Sequence, residues 1–281
     1  MKTITEKAKE NIIVVAHRGA CGGNIPCNTL ASYGIALRQG ADMIEADVSV
    51  SGDGKLYLFH PFMEPAHFGM LPCFRLLPLS VIKKQHYVNY DRTKTQFTVP
   101  DFDEFLDAFK DRCYINIDKF WSAPEKIYSA IKAHGMVEQC LVKSKPSKRV
   151  FELLENLAPD LPFIPIVEEK HTCHGELMKR NINYIGAEVL FSKDDSYLAS
   201  EEFIEKMHSD GKLLWANTII YDHRKQLAGG HSDDSALTVG EDYGWGWVAD
   251  KGYDFIQTDW TMMLVEYLKR TGRYYKKGET E

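Results

Sequence analysis

Apolar residues along this chain fall into short runs, many rich in β-branched or aromatic side chains, with stretches of helical periodicity between them. Eight runs read as strands: Ile12–Ala16, Met43–Val48, Tyr114–Ile117, Cys140–Lys143, Phe163–Val167, Tyr184–Glu188, Leu213–Asn217 and Phe255–Thr258. Several are followed by punctuated helices. Asn28 stands where it would cap a helix running to Gln39, with Gly40 closing it. Pro124 suits the first turn of a helix ending before Gly135, and Ser200 with Glu201 and Glu202 opens one that stops at Gly211. Alternating strands and helices imply parallel pairing through right-handed crossovers. Eight such units predict an α/β fold of the TIM (β/α)8 type rather than a doubly wound sheet.

The spacing is uneven in two places, from Pro61 to Val99 and from Thr218 to Asp250. Excursions of this length are usually functional, and both follow the carboxyl end of a strand or its hairpin, the active-site face of barrels. The expectation is one barrel domain over residues 1–281 with an insertion over about 61–98.

Composition narrows the class without naming a chemistry. The 281 residues carry 34 Lys plus Arg against 40 Asp plus Glu, a net charge of −6, and 44% are hydrophobic. That suits an ordinary soluble globular protein and argues against a nucleic-acid partner, which would need a basic stripe. Six scattered cysteines with no C-x-x-C pair suit neither a disulfide scaffold nor a zinc ribbon, and read as reduced cytoplasmic thiols. The start, MKTITEKAKEN, is polar, and no apolar run approaches the ~20 residues of an integral membrane segment.

Candidate chemistry clusters at strand ends. The first strand runs into His17-Arg18, a proton carrier beside a permanent cation with a bidentate donor fork. In MIEADVSV, Glu45 and Asp47 are two residues apart and so share a strand face. Two such carboxylates repel unless a cation or proton intervenes, and oxygen ligands favour Mg²⁺ or Ca²⁺. Ser51-Gly52-Asp53-Gly54 is a hairpin turn signal. If Val50 pairs with Lys55, Tyr57 lies opposite Val48 and His60 returns opposite Glu45. The third strand ends in Asp118, a possible third carboxylate, and Lys119, a second cation for an anionic substrate.

This ordered set, His17–Gly19, Asn28-Thr29, Gly40–Val48, Ser51–Gly54 and His60, followed by Val99-Pro100 and Asp254–Asp259, resembles the glycerophosphodiester phosphodiesterases. The resemblance spans nearly the whole chain and is densest in its first 60 residues. It implies a TIM barrel with an insert after the hairpin and one divalent metal, Mg²⁺ or Ca²⁺, on Glu45, Asp47 and Asp118. It also implies His17 and His60 as general acid–base pair, acting on a small-molecule glycerophosphodiester through a cyclic phosphate. The chain departs from the family pattern in three places. Pro61 follows His60 where the family has Asp, and Asp118-Lys119 replaces Glu-x-Lys. The late Trp-Thr-x-Asn survives only as Trp215-Ala216-Asn217. Lys119 is thereby expected on the opposite strand face, with Lys143, ending the fourth strand, as its candidate substitute. The departures motivate one alternative, a phosphodiester-binding barrel without turnover. A second is a phospholipase-D-like lyase that stops at the cyclic phosphate.

Other residues have competing uses. Glu168, ending the fifth strand, is a candidate for the substrate pocket. Trp215 either stacks on substrate or plugs the barrel. His171, Cys173 and His174 are spaced too tightly for tetrahedral zinc and read as an exposed loop. His231, Asp233 and Asp234 fall in the long seventh loop, either as part of a lid that contributes to substrate choice or as polar side chains facing solvent.

Overall fold

In the computed structural model, residues 1–276 are described, and among them eleven strands occur. In chain order these are β1 (Ile13–Ala16), β2 (Met43–Val50), β3 (Leu56–Leu58), β4 (His86–Val88), β5 (Lys94–Thr98) and β6 (Tyr114–Asp118). They continue as β7 (Cys140–Ser144), β8 (Phe163–Glu168), β9 (Gly186–Leu190), β10 (Leu213–Asn217) and β11 (Phe255–Thr258). β1, β2 and β6 to β11 pair in parallel in that order, and β11 pairs back onto β1, closing an eight-stranded TIM barrel.

Side-chain alternation divides the interior. Outward residues such as Val14, Ile44, Ile115, Val142 and Ala187 pack under the surrounding helices. Inward residues Ile13, Val15, Met43, Tyr114, Leu141, Ile164, Trp215 and Phe255 fill the lower barrel, sealed from below by Ile4 and Ala8. Those two belong to a helix, Ile4–Glu10, whose start is fixed by a capping box between Thr3 and Glu6.

Three local expectations are corrected. The second helix is capped by Thr29 and spans Leu30–Arg38, because Asn28 adopts a left-handed conformation and turns its amide inward. β9 starts at Gly186 rather than Tyr184. A Cβ on Gly186 would lie 2.1 Å from the Leu213 carbonyl oxygen, so glycine admits the close approach of β10. The hairpin pairs Val50 with Leu56, Ser49 with Tyr57 and Val48 with Leu58, one residue out from the expected register. Ser51 bonds back to Lys55, leaving a three-residue turn with Gly54 at φ 74°.

The insertion carries β4, β5 and two short helices over a small core of its own, which includes Tyr57, Phe59, Phe74, Ile82, Tyr87 and Val99. The seventh-loop excursion is pinned by Asp233, which faces inward rather than towards solvent. This carboxylate is 2% exposed and accepts bonds from Thr218, Thr258, Trp245 and the Asp259 amide. No helix among the described residues is long and apolar enough to cross a membrane.

Candidate active site

At the carboxyl end of the barrel, β2 and β6 run in register, with Glu45 beside Asn116 and Asp47 beside Asp118. One oxygen from each of Glu45, Asp47 and Asp118 lies within 4.8 Å of the other two. Burial, followed by the charge of Asp47, pushes the Glu45 carboxyl up to about 7. Asp47 is fully buried. Its Oδ2 receives the Asn28 amide at 2.9 Å and lies 3.0 Å from Arg18 Nε, while its Oδ1 makes no hydrogen bond. Asn28 also accepts from the Asp47 backbone amide and from Tyr33, so the displaced cap residue has become the clamp of a site carboxylate. The Arg18 backbone amide donates to Glu45 at 2.9 Å. A converging, mutually repelling, oxygen-only donor set of this kind fits a hard divalent cation.

Lys119 does not point away from the mouth. It follows the end of β6 with φ 61°, and the left-handed turn swings its ammonium back to 3.5 Å from Asp47 and onto Asp118. Phe120, two residues beyond Asp118 where the family pattern has lysine, is buried in the outer core.

The histidines flank the acids. His17 Nδ1 lies 2.8 Å from Asp259 Oδ1, and the Asp259 amide is itself held by Asp233. Burial disfavours the His17 cation, but Asp259 and Glu45 outweigh it and leave the pKa raised. Asp259 drew no assignment from the sequence, although it closes DFIQTD directly after the last strand. His60 comes to the same rim despite the shifted hairpin register. Its Nδ1 lies 2.9 Å from the Pro61 carbonyl, which can only accept, so Nδ1 carries the proton and Nε2 is left for chemistry. Proline in place of aspartate therefore exchanges a carboxylate orienter for a backbone one. Burial lowers the His60 pKa, against the pull of Asp47.

Across the barrel lies a second polar group. Lys143 is 7% exposed, with its ammonium 2.8 Å from Glu188 and 4.0 Å from the Trp215 ring. Glu188 accepts from Asn217 at 2.6 Å, and Asn217 accepts from the Trp215 indole. Trp215 is wholly buried and stacked on Phe255, which makes it barrel core beneath Lys143 rather than a surface for substrate. Glu188 was missed because a lone inward carboxylate has no spacing signal. Glu168 sits exposed at the rim, paired with Lys145 at 2.9 Å, and does not join the acids. His171, Cys173 and His174 are not an exposed loop. They pack half-buried or buried, with both imidazoles bonded to the Tyr184 hydroxyl.

Comparison with known proteins adds the following. A family model described as a domain of unknown function matches residues 163–268, the stretch that holds Glu188, Trp215 and Asn217. The chain is 26% identical over 232 residues to a glycerophosphodiester phosphodiesterase of Bacillus subtilis, covering 75% of this chain and 77% of that one. Its fold superposes on a glycerophosphoryl diester phosphodiesterase of Parabacteroides distasonis with a TM-score of 0.78 at 14% identity, covering 98% and 97% of the two chains. It also matches an Oleispira antarctica phosphodiesterase solved with the product sn-glycerol-3-phosphate, with a TM-score of 0.67 at 18% identity, covering 92% and 97%.

Proposed function

From the premise that the chain belongs to the glycerophosphodiester phosphodiesterase family, we propose that it hydrolyses small-molecule glycerophosphodiesters to glycerol 3-phosphate and an alcohol, in a metal-dependent reaction. The observation that carries this reading is the meeting of three carboxylates with two separately oriented histidines on one rim.

Glu45, Asp47 and Asp118 would hold one Mg²⁺ or Ca²⁺. When bound, the cation would draw charge from the phosphoryl oxygens and cancel the Glu45 charge that helps keep His17 protonated. Arg18 and Lys119 balance the diester's negative charge, with Lys143 deeper in the barrel. His17 takes the proton of the glycerol 2-hydroxyl, and Asp259 stabilises the imidazolium formed. The 2-oxygen attacks phosphorus, the bond to the alcohol oxygen breaks, and His60, entering as the imidazolium, donates its Nε2 proton to that oxygen. In the second half His60 deprotonates a water that attacks phosphorus. The ring bond to the 2-oxygen opens, and His17 returns the proton.

The test incubates the purified protein with glycerophosphocholine, glycerophosphoethanolamine or glycerophosphoglycerol, with Mg²⁺, with Ca²⁺, or with chelator, and follows products by phosphorus NMR. Metal-dependent glycerol 3-phosphate is the expected result. Accumulation of cyclic phosphate alone would make the protein a lyase. Absence of turnover on all three substrates with metal bound would make it a binding barrel.

A further inference from the structure

The turn between His17 and the second helix carries chemistry that hydrolysis does not use. Gly22 and Ile25 bond reciprocally at 3.0 and 2.9 Å, folding residues 21–27 into a narrow hairpin. Cys21 and Cys27 stand at its two ends and line the same cleft. Cys21 is exposed, whereas Cys27 is half-buried with its sulfur 3.9 Å from His67 of the insertion. Both border a cleft of about 420 Å³ between the turn and the insertion, with His67 and Arg92 on its far wall. An oxidant can therefore reach the pair without entering the barrel.

The two sulfurs are chemically unequal. The neighbouring Cys27 lowers the Cys21 thiol to about 7, while Cys21 and burial push Cys27 well above its ordinary value. The exposed Cys21 is the sulfur that peroxide reaches first, and the half-buried Cys27 stands behind it as the resolving thiol. The turn is also tied to the acids at both ends. The Asn28 amide bonds the Arg18 carbonyl at 3.0 Å, and the side chains of these two residues hold Asp47.

We propose that Cys21 and Cys27 form a reversible, peroxide-sensitive dithiol whose oxidation to a disulfide disturbs the Arg18–Asn28 clamp on Asp47 and lowers activity. The Cys21 thiolate attacks one peroxide oxygen, the O–O bond breaks, and hydroxide leaves to take up a proton. The Cys27 thiol then displaces the sulfenic oxygen as water, forming the S–S bond. Overall, two thiols and one hydrogen peroxide give one disulfide and two waters. A small dithiol reverses the step by exchange.

The consequence for activity rests on the phosphodiesterase reading, whereas the disulfide does not. The metal-loaded protein is treated with hydrogen peroxide at a few equivalents, digested without reduction, and mapped by mass spectrometry. The expected result is a Cys21–Cys27 linkage as the major product, at least a tenfold fall in kcat/KM, and recovery with dithiothreitol. Cys27→Ser should form no disulfide at the turn and should resist the reversible part of the loss, with starting activity unchanged. A map without the 21–27 linkage overturns the proposal. So does equal, dithiothreitol-reversible inactivation of Cys27→Ser. If no diester is cleaved at all, a weakened metal affinity of the oxidised protein, read by calorimetry, still upholds the switch, and an unchanged one sinks it.

Discussion

The lower and upper halves of the barrel interior are built from the same strands, two residues apart, and obey opposite rules. Met43, Tyr114, Leu141, Trp215 and Phe255 fill the lower half with apolar volume. Directly above them on the same faces stand Glu45, Asn116, Lys143, Asn217 and Gln257, all buried. Asn116 keeps both amide atoms without a hydrogen bond inside the protein. The lower half contributes stability through burial, and the upper half sacrifices some of it to hold charge in a dry place. Fold and chemistry are thus separated by one step along the strand.

The contrast can be attacked from its strongest point downward. His17→Ala and His60→Ala should each reduce kcat by at least about 10²–10⁴-fold while the unfolding midpoint stays within a few degrees. Near-wild-type turnover of either would remove its residue from the mechanism. Glu188→Ala should destabilise by about 3–5 kcal/mol in urea titration, because it strands the Lys143 ammonium, and adding Lys143→Met should restore much of the loss. No recovery in the double variant would mean the pair is not a coupled unit. Leu141→Ala in the lower half should cost about 2–5 kcal/mol of stability. KM should hardly change, and a large rise in it would show that the halves are not separable.

The acids offer a pH test. Folding raises the Glu45 pKa, so without metal its protonated form favours the folded state below about 4.5, and that advantage is lost as pH rises towards 7. In chelator, stability should fall over this window by up to about 3 kcal/mol relative to Glu45→Gln. Saturating divalent cation should remove the difference, and identical pH profiles in chelator would contradict the crowding of the acids. Glu168→Gln, at the exposed rim, should change stability and kcat/KM least, by roughly 0.5 kcal/mol or less. A larger drop in kcat/KM would return Glu168 to the substrate pocket.

What was legible in the sequence was whatever repeats or lies close along the chain. The eight strands announced themselves through apolar runs, and Glu45 with Asp47 through a two-residue spacing that puts both on one face. What stayed hidden depended on backbone turns or on partners far away. The Lys119 ammonium faces the acids only because its φ is positive, which no spacing rule foretells. The hairpin register turned on whether the turn holds three residues or four. Asp259 meets His17 across 242 residues of chain, and Glu188 meets Lys143 across one intervening strand, β8. Asn28, read as a cap, was the right residue type for another task, because its amide both donates to and accepts from Asp47.

The anchoring of the seventh loop through Asp233 divides that loop into parts of unequal freedom. Between Asp222 and Gln226 the chain can lengthen, shorten or be cut without touching Tyr221, whose ring stands edge-on to His17 at 5.8 Å, or the pairing of Leu227 to Gly229 with Phe191. From His231 to Trp245 it cannot, since the helix start at Ser232, Asp233 itself and the Trp245 indole form one bonded unit with the Asp259 amide. Relatives of this protein should therefore vary in loop length only ahead of that unit. An affinity tag or reporter domain inserted between 222 and 226 should leave the catalytic histidine undisturbed.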